Sequence, residues 1–176
     1  MINIIDTKIK DVKIIEPKIY NDSRGYFFES YNQKEFHKKI GKINFIQDNE
    51  SKSSFGVLRG MHFQKKPYEQ SKLVRVIKGE IQDVAVDIRK KSETYLKYVS
   101  VILNDKNKNQ LFIPKGFAHG FLVLSDEAII NYKVDQIHNS EYDSGINYNS
   151  PNININWKLN KNKIKLSDKD KNSLFF

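Results

Sequence analysis

The sequence predicts a mainly β protein, an antiparallel sandwich or barrel that carries only a few short helices. Many short runs rich in β-branched residues are separated by polar turn segments, a spacing typical of all-β sandwiches and barrels. A clear helical period is confined to one short stretch. The chain has no internal repeat or linker, and we expect residues 1–176 to form a single domain.

That stretch, from Asn32 to Ile40, is predicted to form a short helix. Phe36 and Ile40 lie four residues apart and so fall on one face. Asn32 can cap the first turn, and Gly41 can end the helix because glycine readily leaves the helical conformation.

The clearest strands are predicted in KLVRVIKGEIQDVAVDIR, residues 72–89. Two β-branched runs flank Lys78-Gly79, which is a good two-residue hairpin turn. Side chains of the second run alternate between an apolar face and a face with two aspartates. The two faces are Val84, Val86 and Ile88 against Asp83, Ala85 and Asp87.

Three later segments complete the predicted β structure. TYLKYVSVIL predicts one strand, and NDKNKNQ predicts the turn before a further strand in LFIP. GFLVLSDEAIINYKV predicts two strands, one before and one after Ser125-Asp126. The C-terminal segment 157–176 is polar, yet Trp157, Ile164 and Leu166 predict that it packs back against the body.

Composition excludes several classes of protein. Cysteine is absent, so disulfides and thiolate metal sites are not available. The first residues, MINIIDTKIK, lack the apolar core of a signal peptide, and no later apolar run approaches membrane-spanning length. We therefore expect a cytoplasmic protein without a membrane partner.

The net charge of +9 raises the question of nucleic-acid binding. The lysines, however, are scattered among asparagines, whereas a nucleic-acid binder clusters its charge and favours arginine. We expect a solvated lysine-rich surface and no nucleic-acid partner. The four arginines are then candidates for sites that need a planar, bidentate donor: Arg24, Arg59, Arg75 and Arg89.

Among the four histidines, His119 has the most distinctive surroundings. It ends the Pro-x-Gly-x-x-His arrangement in PKGFAHGF, which resembles the second motif of the cupin superfamily, a jelly-roll β-barrel. Metal-binding cupins complete their site with an earlier His-x-His and a glutamate. Here the earlier segment provides only His62, followed by Phe63 and Gln64. Two histidines make a poor first coordination shell, so we expect no metal.

His62 lies in LRGMHFQ, three residues after Arg59. Lys72 follows it by ten residues, and Asp83 lies on the polar face of a neighbouring predicted strand. A barrel interior that collects such groups is costly, because each buried charge must be paired. The collection therefore indicates a binding site for an anionic or strongly polar ligand.

Longer motifs carry a resemblance over nearly the whole chain. DSRGYFFES, QDNESKSSFGVLRGMHFQ, QSKLVRVIKGEIQDVAVDIRKKSETY, LFIPKGFAHGFLVLSDEAIINYK and LSDKD occur in this order. Together they resemble the dTDP-4-dehydrorhamnose 3,5-epimerase family. The resemblance implies a cofactor-independent, homodimeric jelly-roll isomerase. Such an enzyme inverts C3 and C5 of a dTDP-linked 4-keto-6-deoxyhexose during deoxysugar synthesis for a surface polysaccharide.

The resemblance also implies catalytic roles. His62 matches the family's base, and Tyr132 of NYK matches its acid on the opposite face of the sugar. Asp170 of LSDKD matches the carboxylate that pairs with the base histidine. Lys72 and His119 match positions that line the sugar and its keto oxygen.

Other matched positions concern the nucleotide. Arg59 matches a diphosphate contact, and Lys169 matches a further ligand contact. The remaining matches are expected to touch the nucleotide, some of them from the partner subunit: Arg24, Glu29, Gln47, Asp48 and Asn49.

The chain departs from the family pattern near the nucleotide base. After YK the family commonly has two aromatics before a proline, one of which stacks on thymine. This chain has Ile137 and His138 without the proline, and Asp143 stands where the family usually has glutamate. These departures leave the identity of the base open, but not the type of reaction.

The sequence leaves other functions open. A related enzyme could invert only C3 or only C5, or act on another nucleotide-linked 4-keto sugar. A non-catalytic sugar-nucleotide-binding cupin would explain the fold and Arg59, but would leave His62 and Tyr132 idle. The +9 charge would suit a nucleic-acid binder, for which no motif is present.

Overall fold

The computed structural model describes residues 2–175, which form thirteen strands, two α-helices and one 3₁₀ turn. The strands are β1 (Ile2–Asp6), β2 (Lys13–Pro17), β3 (Tyr20–Asp22), β4 (Gly25–Phe27), β5 (Gln47–Ser54), β6 (Leu58–Gln64), β7 (Lys72–Lys78), β8 (Glu80–Asp87), β9 (Tyr98–Asn104), β10 (Gln110–Ile113), β11 (Phe117–Val123), β12 (Glu127–Val134) and β13 (Asp143–Gly145). The helices are α1 (Gln33–Lys39) and α2 (Asp168–Lys171), and the 3₁₀ turn is Lys161–Lys163.

Two antiparallel sheets face each other and confirm the expected mainly β, antiparallel jelly-roll fold. One sheet has the strand order β1-β2-β10-β7-β12-β5, and the other has the order β13-β6-β11-β8-β9. Their facing side chains form the main apolar core, to which Val74 and Ile130 contribute from the first sheet and Ile81 and Ala85 from the second. Burial of these faces is the dominant stabilising term, as in other sandwiches.

The predicted hairpin at Lys78-Gly79 is wrong. β7 lies between β10 and β12 in the first sheet, whereas β8 lies between β11 and β9 in the second. The chain therefore crosses between the sheets at Gly79, whose φ of +84° suits glycine. The strands around Ser125-Asp126 divide between the sheets in the same way. A short turn limits the distance between strand ends but does not make the strands pair.

Both faces of β8 are buried, so Asp83 and Asp87 lie inside the protein. Asp87 accepts hydrogen bonds from Arg89, Ser92 and Thr94. Asp83 is paired with His119. Each of these two carboxylates thus has a partner, although Oδ2 of Asp83 makes no hydrogen bond within residues 2–175.

The predicted helix is confirmed as α1. Oδ1 of Asn32 accepts a hydrogen bond from the backbone N–H of Glu35 at 3.1 Å, as an N-cap should. Phe36 is buried and joins Leu73 and Phe112 in a smaller apolar cluster on the outer face of the six-stranded sheet.

The C-terminal segment does pack back against the body. Trp157 packs against an apolar cluster of the second sheet, and its indole N–H donates to the carbonyl of Tyr148. Further on, Lys165 forms a parallel bridge with Val57. The predicted strand at 94–103 is shorter than expected, because residues 94–97 form a turn and β9 begins at Tyr98. None of the helices within residues 2–175 is long and apolar enough to span a membrane.

Candidate active site

A cavity of about 550 Å³ lies between the two sheets and is partly covered by the C-terminal segment. Its walls come from three parts of the chain. The six-stranded sheet contributes Ser51, Lys72, Ile130 and Tyr132. The five-stranded sheet contributes Leu58, Arg59, His62, His119 and Phe121. The cover is formed by Lys165, Leu166, Ser167, Lys169 and Asp170.

An irregularity in β6 brings Arg59 and His62 to the same cavity. Side chains three residues apart on a regular strand point to opposite faces. Here His119 pairs with His62 and Phe121 with Arg59, so β6 has one residue more than β11 in this interval. The extra residue lies at Gly60, where the two strands approach closely, and a bulge of this kind redirects side chains.

His62 and Asp170 form a close pair. Nε2 of His62 lies 2.6 Å from Oδ1 of Asp170, whose side chain is only 3% exposed. Burial alone would raise the pKa of Asp170. The hydrogen bond and charge of His62, with donors from Ser167 and Gly60, outweigh burial and lower that pKa. An ionised carboxylate only accepts hydrogen bonds, so Nε2 carries the proton and Nδ1 of His62 is left as a base.

Tyr132 and Lys72 face this pair from the opposite sheet. Burial raises the pKa of Tyr132, although the positive charge of Arg59 opposes the rise. Its hydroxyl is therefore protonated at neutral pH and can donate a proton. Burial also lowers the pKa of Lys72 to about 8, against the charges of Asp83 and Asp143. Lys72 still carries a positive charge at pH 7, inside a cavity where charge is weakly screened.

His119 lies on the same wall as His62 and is backed by a carboxylate. Nε2 of His119 is 2.6 Å from Oδ1 of Asp83. Asp83 has no exposed surface and does not line the cavity. The structure therefore places Asp83 behind His119, in a position to orient the imidazole rather than to touch a ligand.

A second cavity of about 290 Å³ adjoins the first and shares His62, Lys72, Tyr132 and Lys169 with it. Five further polar residues line this second cavity. Four of them were predicted from the sequence, namely Gln47, Asn49, His138 and Asp143, and the fifth is Gln70. The carboxylate of Asp143 is bonded to Lys169 and lies 3.8 Å from Nε2 of His138. Burial would raise the pKa of Asp143, but the hydrogen bond from Lys169 and the nearby positive charges lower it.

Three predicted residues lie away from both cavities in the single chain. Asp48 alternates to the outer face of the six-stranded sheet, where Lys133 pairs with it at 2.8 Å. Arg24 lies in the turn between β3 and β4, 88% exposed, and pairs with Asp22. Glu29 follows this hairpin and accepts a hydrogen bond from Asn32.

Sequence reasoning did not identify Ser51, Gln70 or Lys165 as lining residues. Ser51 could have been found, because Gln47, Asn49 and Ser51 alternate along one face of β5. Lys165 had no local signal, since only its bridge to Val57 brings it to the cavity. Within residues 2–175, three or more metal-binding side chains do not cluster in a way that could hold an ion.

A base on one sheet that faces an acid on the other can take a proton from one side of a carbon and return one to the opposite side. That is the chemistry of an epimerase, here on a jelly-roll fold.

Comparison with known proteins identifies the family. The sequence model of dTDP-4-dehydrorhamnose 3,5-epimerase matches residues 6–176. The dTDP-4-dehydrorhamnose 3,5-epimerase of Shigella flexneri is 53% identical over 175 residues, which are 99% of this chain and 96% of that protein. This chain belongs to the dTDP-4-dehydrorhamnose 3,5-epimerase family, and it is an isomerase.

Similarity to solved structures supports the same family. The dTDP-6-deoxy-D-glucose-3,5-epimerase of Legionella pneumophila, in complex with dTDP-4-keto-L-rhamnose, has a TM-score of 0.96 at 47% identity, covering 99% of this chain and 93% of that one. The dTDP-4-dehydrorhamnose 3,5-epimerase of Bacillus anthracis, with TDP and PPi bound, has a TM-score of 0.96 at 41% identity, covering 100% of both chains.

Proposed function

We propose that this protein converts dTDP-4-dehydro-6-deoxy-D-glucose to dTDP-4-dehydro-L-rhamnose by inverting C3 and C5. One observation carries the proposal: the His62–Asp170 pair and Tyr132 lie on opposite walls of one cavity. The product bound to the Legionella relative and the TDP bound to the Bacillus relative support the choice of substrate.

In the proposed mechanism the C4 keto group makes the protons on C3 and C5 acidic. Nδ1 of His62 removes a proton, and Asp170 holds the imidazole and stabilises its positive charge. The electron pair moves onto the keto oxygen, where the positive charge of Lys72 stabilises the enolate, and His119 lines the same part of the cavity.

Tyr132 then donates its hydroxyl proton to the opposite face of the same carbon, which inverts that centre. His62 is left protonated and Tyr132 deprotonated. Exchange with solvent resets both groups before the second carbon reacts.

The diphosphate and nucleoside are assigned to the rim of the first cavity and to the second cavity. Arg59 offers a planar donor, and its Nε–H already binds Ser53 Oγ at 2.9 Å, which orients the guanidinium. Gln47, Asn49 and Lys169 supply polar contacts for the nucleoside. His138, 59% exposed, offers a flat ring to the base.

We also propose that the protein acts as a homodimer with shared sites. Arg24 and Glu29 lie near an exposed hairpin, β3–β4, away from the cavities of their own chain. This hairpin exposes Tyr20, Tyr26 and Phe27, and aromatic side chains exposed together are typical of an interface. A second copy would cover them, and Arg24 would then reach the nucleotide bound to the partner.

The remaining expectations stay predictions: one domain over residues 1–176, no metal or other cofactor, no nucleic-acid or membrane partner, and a cytoplasmic location.

The test is to incubate the enzyme with dTDP-4-keto-6-deoxyglucose in deuterated water and to follow deuterium at C3 and C5 by NMR. Label and inversion at both carbons are expected. Inversion at one carbon would instead indicate a mono-epimerase, and no label at all would indicate a binding protein.

Two variants separate the base from the acid in the same assay. His62→Ala should lose exchange and epimerisation together, by about 10²–10⁴-fold. Tyr132→Phe should keep measurable exchange while inverted product falls sharply, because His62 can exchange the abstracted proton with solvent and return a deuteron to the face from which the proton left. Tyr95→Phe, outside both cavities, is the matched control. The roles of the two residues are wrong if Tyr132→Phe loses exchange as completely as His62→Ala does.

A further inference from the structure

Asp170 is carried by a helix too short to hold its own position. α2 has four residues, and a helix of one turn is not stable by itself in water. The 2.6 Å contact between Asp170 and His62 therefore depends on what anchors α2 to the body of the protein.

Before α2, the chain is anchored by the parallel bridge between Lys165 and Val57. The backbone N–H of Leu58 donates to the carbonyl of Lys165 at 2.9 Å, and the N–H of Lys165 donates to the carbonyl of Gly56 at 2.8 Å. Ser167 then caps α2 through its bond with the N–H of Asp170. These contacts determine where α2 begins.

The anchor after α2 is Asn147, a polar residue that is only 5% exposed. Its Nδ2 donates to the carbonyl of Lys171 at 3.2 Å and to that of Ser173 at 3.5 Å. Its backbone N–H donates to the carbonyl of Leu174 at 2.8 Å. Its Oδ1 accepts from the N–H of Asn149, so the amide group is held with its donor side towards α2.

Asn147 also continues the strand that pairs with the strand of His62. Gly145 pairs with His62, and Ile146 exchanges both backbone hydrogen bonds with Met61. The next residue is Asn147. One short segment is therefore bonded on one side to the strand that carries His62 and on the other to the helix that carries Asp170.

We propose that Asn147 is a positioning residue that holds Asp170 against His62; this inference rests on the proposed function of that pair. Asn147 does not touch the substrate cavity itself. Without its amide donors, the carbonyls of Lys171 and Ser173 lose their buried partner, so α2 is held less firmly and the carboxylate no longer holds the imidazole in one orientation. A displacement of about 1 Å in a catalytic group can reduce a rate about 100-fold.

The experiment is a double-mutant cycle between Asn147→Asp and Asp170→Asn. Asn147→Asp keeps the shape of the side chain but replaces the donor with a carboxylate. We expect kcat to fall by about tenfold to a hundredfold with KM nearly unchanged. In the Asp170→Asn background the same change should cost less than about twofold, because the contact it supports is already lost. Asn152→Asp, the same chemical change at an exposed position, should leave kcat unchanged.

A second readout is the Nε2–H proton of His62 in the NMR spectrum. Its far-downfield resonance, which reports the bond to Asp170, should be lost or moved in Asn147→Asp and kept in Asn152→Asp. Thermal unfolding is measured for every variant. If Asn147→Asp is unfolded at the assay temperature, the cycle is repeated with Asn147→Ala, which adds no charge.

Each outcome decides the inference. Equal losses of kcat in both backgrounds, unchanged kcat in folded Asn147→Asp, or an Asn147→Ala that is also unfolded would overturn it. Unchanged activity in Asp170→Asn would instead overturn the proposed role of the His62–Asp170 pair. The two failures are therefore distinguishable.

Discussion

Lys72 shows how the surroundings of one residue set its chemistry. Burial lowers the pKa of its ammonium to about 8 from the ordinary value of 10.5. Between these values the unfolded chain binds a proton that the folded protein releases, so stability should rise with pH across this window. Burial of the charged Lys72 therefore costs the folded protein stability. In the proposed mechanism this charge stabilises the enolate oxygen.

The first prediction concerns the pH dependence of kcat. If charged Lys72 stabilises the enolate, kcat should fall as pH rises through about 8. The charge of Asp143 holds the pKa of Lys72 up, so Asp143→Asn should move the midpoint of this fall to lower pH. Asp48→Asn, on the outer face of the sheet, is the matched control and should leave the midpoint in place. A shift to higher pH in Asp143→Asn would contradict this role of Lys72.

At the scale of elements, the contact between β6 and β11 brings Arg59 and His62 to one cavity. The strands approach so closely at Gly60 and Gly120 that a side chain at either position would meet backbone. A Cβ atom on Gly120 would lie 2.7 Å from Met61 Sδ, 2.8 Å from the carbonyl of Arg59 and 3.0 Å from Cα of Gly60. This contact therefore requires two facing glycines.

The second prediction is that Gly120→Ala damages both stability and activity. The added methyl must push back the segment that carries Arg59 and His62, and overpacking of this kind costs about 1–3 kcal/mol. Urea unfolding and kcat, measured together, test this. Gly145→Ala is the comparison, because its closest contact is the Ser173 hydroxyl at 3.0 Å, on a side chain that can turn away. Equal effects of the two variants would contradict the argument.

At the scale of the whole molecule, the proposed dimer explains why Arg24 lies far from its own cavities. Each chain would supply a hairpin to its partner and receive one in return, as two-fold symmetry requires. The exposed aromatic side chains of β3–β4 would be covered by the same contact.

The third prediction follows from this exchange of hairpins. Arg24→Glu and His62→Ala should each be poorly active alone. After the two are unfolded and refolded together, half the dimers are mixed, and each mixed dimer has one site with an intact His62 and an intact Arg24. We expect recovery of about a quarter of wild-type activity. His62→Ala mixed with Tyr132→Phe, two changes in the same cavity, is the control and should recover none. Absence of recovery in the first mixture would mean that the sites are not shared.

The sequence by itself determined what depends on neighbouring residues. Asn32 caps α1 as its position predicted, because capping is a contact across three residues. The β character of the chain also followed from local alternation and turn residues. The family was also recognised from the sequence, because its long motifs can be identified without coordinates.

The tertiary structure alone decided which elements meet. Periodicity tells which face of a strand is apolar but not which strand lies beside it, and so the hairpin at Lys78-Gly79 was predicted wrongly. The bulge that brings Arg59 and His62 together depends on β11, and Asp170 reaches His62 across 108 residues of sequence. Such contacts are set by the packing of the whole sandwich, since burial of both sheets selects one arrangement among many that local patterns allow.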